Sequence, residues 1–154
     1  AGADIHYKND AALHAAVYNG HLEVVKLLLK NRIDAHIQSS IVLRLAAENG
    51  HLEIVKFLID NQANIYAKSY SLQLAAENSH LEIVKLLLES GADVHFQNEN
   101  ILYSACNRGD IKIVKILLQA GTNLKANNSL ALRIASDRNN TILVKLLHKH
   151  LFNS

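Results

Sequence analysis

The segment His51-Leu52-Glu53-Ile54-Val55-Lys56-Phe57-Leu58-Ile59 returns along the chain at a nearly fixed interval. His21-Leu22-Glu23-Val24-Val25-Lys26-Leu27-Leu28-Leu29 precedes it, and His80-Leu81-Glu82-Ile83-Val84-Lys85-Leu86-Leu87-Leu88 follows it. Looser copies begin at Asp110 and at Asn140. Starts at 21, 51, 80, 110 and 140 give a period of 29–30 residues. Such a period defines a stack of like units, each burying its apolar face against its neighbours.

A second block stands ahead of each copy. Leu13-His14-Ala15-Ala16-Val17 runs into Asn19-Gly20, and Leu43-Arg44-Leu45-Ala46-Ala47 into Asn49-Gly50. Leu72-Gln73-Leu74-Ala75-Ala76, Leu102-Tyr103-Ser104-Ala105-Cys106 and Leu132-Arg133-Ile134-Ala135-Ser136 run into Ser79, Gly109 and Asn139. A third block follows each copy of the first: Gly91-Ala92-Asp93-Val94-His95, with weaker copies from Gly2, Arg32, Gln62 and Gly121. The spacing of Leu52, Val55, Leu58 and Ile59 makes one apolar helical stripe. Each unit therefore reads as a short Ala-rich helix of roughly two turns, a tight turn, a second helix and a loop. Glycine suits a turn residue of positive φ, Asn139 is the next best, and Ser79 is a strained choice costing about 1 kcal/mol.

Three motif blocks in a constant order resemble the ankyrin repeat over the whole chain. The resemblance implies an all-α solenoid of stacked helix-turn-helix units. Gly91 to Leu102 is about three residues shorter than the family pattern, so the hairpin fingers are expected to be short and blunt. The family's Thr-Pro is absent, and only His14 keeps the helix-start His. The trimmed register is similar to arrays encoded by giant DNA viruses. One domain is expected over 1–154, with repeats at 10–39, 40–69, 70–98, 99–128 and a capping repeat at 129–154. Residues 1–9 read as the trailing loop of a missing upstream unit, and the chain is expected to be monomeric or part of a longer array. On that reading Ile5, Leu13, Val17, Val25 and Leu28 form an uncovered N-terminal face.

Composition narrows the function. The 49% apolar content is enough for a continuous core. No apolar run approaches the ~20 residues of a membrane span. The one cysteine, Cys106, falls at a small-residue position, which points to a buried reduced thiol and to the cytosol or nucleus. Net charge is +2 but uneven: residues 1–99 carry 8 Lys/Arg against 12 Asp/Glu, and residues 100–154 carry 8 against 2. Polyanion or nucleic-acid contact by that basic end is the alternative reading, disfavoured by the low net charge and the lack of an aromatic-plus-basic face.

No residue pattern points to catalysis, a cofactor or a metal. His21, His51 and His80 are one site in successive units. Stacked helices lie ~8–10 Å apart, whereas zinc ligands all lie ~2 Å from one ion. The ladder is read instead as hydrogen bonding between repeats. Glu23, Glu53 and Glu82 stand three residues before Lys26, Lys56 and Lys85, a spacing for solvated ion pairs.

What remains is a non-catalytic scaffold for a protein partner. The ankyrin resemblance places binding on the concave face, made by the fingers and the first helices. Its finger positions are Lys8, Asp10, Gln38, Lys68, Tyr70, Gln97 and Glu99, along with Ser40, Asn127 and Ser129. Its first-helix positions are Tyr18, Asn19, Glu48, Asn49, Glu77 and Asn78, followed by Asn107, Arg108, Asp137 and Arg138. These positions vary between copies while the core positions repeat. Tyr18 and Tyr70 are the expected anchors, and Glu48 and Glu77 the expected acidic patch.

Overall fold

The computed structural model describes residues 5–30, 35–61, 64–97 and 100–152, with side chains omitted at 5–10, 35–39, 65 and 126–128. The chain folds as consecutive helix pairs: α1 (Ile5–Tyr18) with α2 (Leu22–Lys30), α3 (Ala35–Glu48) with α4 (Leu52–Asp60), α5 (Ile65–Glu77) with α6 (Leu81–Glu89), α7 (Asn100–Arg108) with α8 (Ile111–Gln119), and α9 (Ala126–Asp137) with α10 (Thr141–Phe152). First helices stack on first helices and second on second. Among the described residues there is no strand, so the molecule is an all-α repeat solenoid. None of these helices is long and apolar enough to cross a membrane.

The turn inside each pair has one geometry. After α1, the Gly20 amide donates to the Val17 carbonyl (3.0 Å) and the His21 amide to the Ala16 carbonyl (2.8 Å). This is the Schellman closure, which satisfies helix-end carbonyls and places a left-handed residue at the turn. Gly50, Ser79, Gly109 and Asn139 take the same left-handed position, at φ 81°, 65°, 78° and 53°, each followed by an amide that bonds the carbonyl five residues back. The accepting residue is alanine each time (Ala16, Ala46, Ala75, Ala105, Ala135), and all five are buried. A larger side chain there would hold the paired helices apart.

Two expectations about the first helices need correction. They are longer than two turns: α1 and α3 have 14 residues and α5 has 13. Lys8, Asp10, Gln38, Ser40, Lys68 and Tyr70, expected in fingers, are helical, and residues 5–9, expected in a trailing loop, belong to α1. The shortened loop explains this. Asn64 caps α5 by accepting from the Tyr66 amide at 2.8 Å. So few residues separate that cap from the helix core that winding them into helix satisfies their backbone groups locally. Among the described residues, a loop persists ahead of the first helix where glycine and a following Asx turn interrupt it. Gly91 stands at φ 89°, Asp93 accepts from the His95 amide, and Gln97 sits at φ 53°, so α7 starts late and has 9 residues. Gly121 and Asn123 repeat the turn, and within α9 Ser129 stands at φ 57°.

The core runs unbroken through the stack, from Leu13 and Val25 to Leu143 and Leu147. The N-terminal face differs from its expected form. Leu13, Val17 and Val25 are buried, Leu28 is half-buried, and the Ile5 side chain lies outside the described residues. The uncovered side chains are Val24 (45% exposed) and Leu27 (62%). The equivalents of Val24 in the later units, Ile54, Ile83, Ile113 and Leu143, are at most 2% exposed.

Candidate functional site

The row of first helices carries a groove of about 370 Å³ where α1, α3 and α5 meet. Its lining residues come from one helical stripe of α3 (Ile41, Arg44, Leu45, Glu48), from His14 of α1, and from Tyr70 and Leu74 of α5. The α3 positions are spaced i, i+3, i+4, i+7, so they share one helix face. Ile41, Leu45 and Leu74 supply apolar lining. Arg44, Glu48 and His14 supply a cation, an acid and an imidazole.

Tyr70 is held in place at this groove. The Arg44 guanidinium lies 5.2 Å from its ring centroid, and Phe96 meets it edge-on with centroids 6.0 Å apart. Both contacts are favourable ring geometries. Glu48 makes no hydrogen bond or ion pair with the described residues through its carboxylate. It is exposed at the end of α3 and open to a cation from outside. Such a site can seat an apolar side chain and orient it by charge.

The other expected contact residues divide into three groups. Tyr18, Gln97 and Asp137 are exposed. The Lys8, Asp10, Gln38 and Asn127 side chains and all of Glu99 lie outside the described residues. Ser129 is half-buried, and most of the others are engaged within the array. The Asn19, Asn49 and Asn78 amides donate to the Ala15, Leu45 and Leu74 carbonyls at 2.8, 2.8 and 2.9 Å, closing their own helices. Lys68 donates to the Ser90 carbonyl at 3.1 Å. Glu77 accepts from Gln73 and Ser104. Arg108 donates to Ser79, and Arg138 to Asn107 at 2.8 Å, each across a repeat boundary.

Residues missing from the sequence reading are His14, Ile41, Arg44, Leu45 and Leu74. The signal was present in the α3 stripe ending at Glu48. That stripe comes into register as a groove lining only in a first helix longer than two turns.

The histidine ladder does what its spacing implies. The Nε2 of His51 bonds the Tyr18 carbonyl at 2.8 Å, and that of His80 bonds the Glu48 carbonyl at 3.0 Å. Each ring also presses on the preceding turn. A Cβ on Gly20 would lie 2.7 Å from His51, and one on Gly50 2.6 Å from His80. Lys26, Lys56 and Lys85 pair with Glu23, Glu53 and Glu82 at 2.8 Å on the outer helices. These pairs are solvated and contribute little. Cys106 is fully buried, and burial pushes its thiol up to about 12, which keeps it protonated and a poor nucleophile.

A family model for ankyrin repeats (3 copies) matches residues 1–69 and 72–153. No curated protein matches the chain. Stacked helix pairs, left-handed turns at a 29–30-residue period and a match over nearly the full length agree: the chain belongs to the ankyrin-repeat family.

Proposed function

We propose that this chain is a protein-interaction scaffold that holds its partner along the row of first helices, with the α1–α3–α5 groove as the anchor site. Ankyrin repeats are generally protein–protein interaction modules. The observation that carries the choice of face is the groove itself: apolar lining beside a fixed aromatic, an open carboxylate at Glu48 and a stacked Arg44. Interface energy concentrates in such sites, where a partner side chain loses water and rim charges set its orientation. The partner presents an apolar side chain beside a basic residue that meets Glu48. The buried thiol of Cys106 supports a reducing compartment, the cytosol or nucleus. The short period supports kinship with the arrays of giant DNA viruses, in which case the partner is a host protein.

Affinity capture from the native cell, run with matched variants, tests this reading. Tyr70→Ala weakens capture by about 2 kcal/mol or more, through faster dissociation. Glu48→Lys slows association and changes its salt dependence. Lys56→Ala, on outer helix α4, leaves capture unchanged. Binding that survives Tyr70→Ala and is lost with Lys56→Ala would place the function on the other face. Salt-sensitive binding to arbitrary nucleic acid would replace the partner class altogether.

A further inference from the structure

We propose that the outer face of α8 and α10, on the second-helix side of the array, docks on an anionic lipid surface: Lys112, Lys115, Lys145 and Lys149 meet the headgroups, and Ile142 and Phe152 enter the layer beneath them. The chain carries its own control for this face. In the first three units the exposed side of the second helix pairs each lysine with a glutamate three residues earlier, Lys26 with Glu23, Lys56 with Glu53 and Lys85 with Glu82. The fourth unit has Lys112 at the glutamate position, and the fifth has Ile142. Lys115 and Lys145 thus keep the lysine column without its carboxylate.

The change extends to the next turn of the helix. Four residues after that lysine stand Asp60 in α4 and Glu89 in α6, but Gln119 in α8 and Lys149 in α10. From Ile111 to Phe152 Asp137 is the one acidic residue, and it ends α9 in the row of first helices. The four lysines are exposed, and none makes an ion pair or hydrogen bond with the described residues. Lys112 with Lys115, and Lys145 with Lys149, are like charges at i, i+3 and i, i+4, a repulsive spacing that an anionic surface relieves.

Ile142 (64% exposed) and Phe152 (80%) select lipid among the anionic partners. They share the outward line of α10 with Lys145 and Lys149, at i, i+3, i+7 and i+10, and a rise of 1.5 Å per residue puts them about 15 Å apart. Apolar side chains interleaved with lysines suit a helix lying along a bilayer interface, with the ammonium groups at the phosphates. An acidic protein segment would have to carry pockets for two apolar side chains at that separation, whereas a bilayer accepts them anywhere on its surface. Nucleic acid fits less well. The cations are lysines, without the bidentate fork of arginine, and Phe152 already stacks on His148 at a centroid separation of 5.9 Å, which closes one ring face to a base.

The test is cosedimentation of the full chain with phosphatidylcholine vesicles containing phosphatidylserine, against vesicles of phosphatidylcholine alone. The anionic vesicles bind and the neutral ones do not. Lys115→Glu with Lys145→Glu lowers the partition coefficient about 30-fold or more, at about 5-fold for each lysine lost. Lys26→Glu with Lys56→Glu makes the same change in net charge and lowers it less than about 3-fold. Those lysines lie at least two helix spacings of about 10 Å from the face, beyond a Debye length of about 10 Å at 0.1 M salt. Ile142→Ser with Phe152→Ser lowers it about 10-fold or more. All the substituted residues are solvent-facing, and an unchanged thermal melt shows that each variant keeps its fold. No binding to the anionic vesicles, or equal losses from the two lysine pairs, would overturn the proposal. So would binding that survives Ile142→Ser with Phe152→Ser, or tighter binding to polyglutamate or duplex DNA than to the vesicles, because the face would then serve polyanions of another class.

Discussion

At the boundary between the second and third units an imidazole sits against a glycine; one boundary further on, a carboxylate meets a serine. The two junctions share backbone geometry, with a left-handed turn residue and a following histidine amide that bonds an alanine carbonyl five residues back. They differ in how the side-chain space is filled. At Gly50 the turn residue has no Cβ and the following His80 takes the room. At Ser79 the turn residue has a side chain, and the following Asp110 is shorter and accepts its hydroxyl. The strain of a non-glycine residue in the left-handed region, about 1 kcal/mol, is offset by that bond and by the Arg108 contact. The lesson is that a repeat stack is specified pairwise at its boundaries, with a residue in one unit chosen for the residue that meets it from the next.

The comparison extends to what surrounds each junction. The first three units have long first helices, the histidine latches at His51 and His80, and the groove. The later units have Gly91 and Gly121 loops, a short α7, and arginine ties.

The largest expected effect sharpens the contrast between interior and end. Leu58→Ala, in a fully buried site with covered neighbours on both sides, costs about 2–5 kcal/mol. Leu28→Ala, its half-buried equivalent at the end of the stack, costs under half as much in the same denaturant titration. Equal losses would mean that the end unit is packed like the middle. Gly50→Ala comes next, at about 2–3 kcal/mol, because the new Cβ adopts a positive φ and displaces the His80 ring. His80→Ala costs about 1–2 kcal/mol by removing a bond to the Glu48 carbonyl, whereas His21→Ala changes stability by less than about 0.5 kcal/mol.

Cys106 gives a smaller, pH-dependent effect. Its folded pKa of about 12 lies above that of an unfolded thiol. The folded state therefore holds the proton that the unfolded state loses, and this group's contribution declines as pH rises from about 9 towards about 12. Alkylation of the native protein at pH 8 is slow and becomes fast in denaturant. Rapid native labelling would show that the core opens at α7.

Much of this was legible in the sequence because repetition supplies its own control. The Ala16 column, the Gly20 column and the histidine ladder each announce a role by recurring. The length of the first helices was not legible. Their extensions, such as Ile65-Tyr66-Ala67-Lys68-Ser69-Tyr70, occupy positions the family uses for hairpin fingers, and only the Asn64 cap with the shortened loop makes them helical. The groove was hidden for the same reason, since Ile41 and Tyr70 come into register with Arg44 and Leu74 only if the helix starts early. Tyr70 and Glu48 were found as variable positions. Asn107, Arg108 and Arg138 are also variable, but they vary with the latch residue they accompany, and that coupling is visible only with the boundaries in three dimensions.

The measurement that bears most directly on pairwise matching is a double-mutant cycle at Ser79 and Asp110, read as unfolding free energy in urea. Asp110→His alone destabilises by about 1–3 kcal/mol, because the imidazole meets the Ser79 Cβ and the serine loses its acceptor. Ser79→Gly alone changes stability by less than about 1 kcal/mol, relieved strain offsetting lost hydrogen bonds. Together they rebuild the Gly50–His80 arrangement and recover most of the loss, a favourable coupling of about 1 kcal/mol or more. Strict additivity of the two changes would contradict the account.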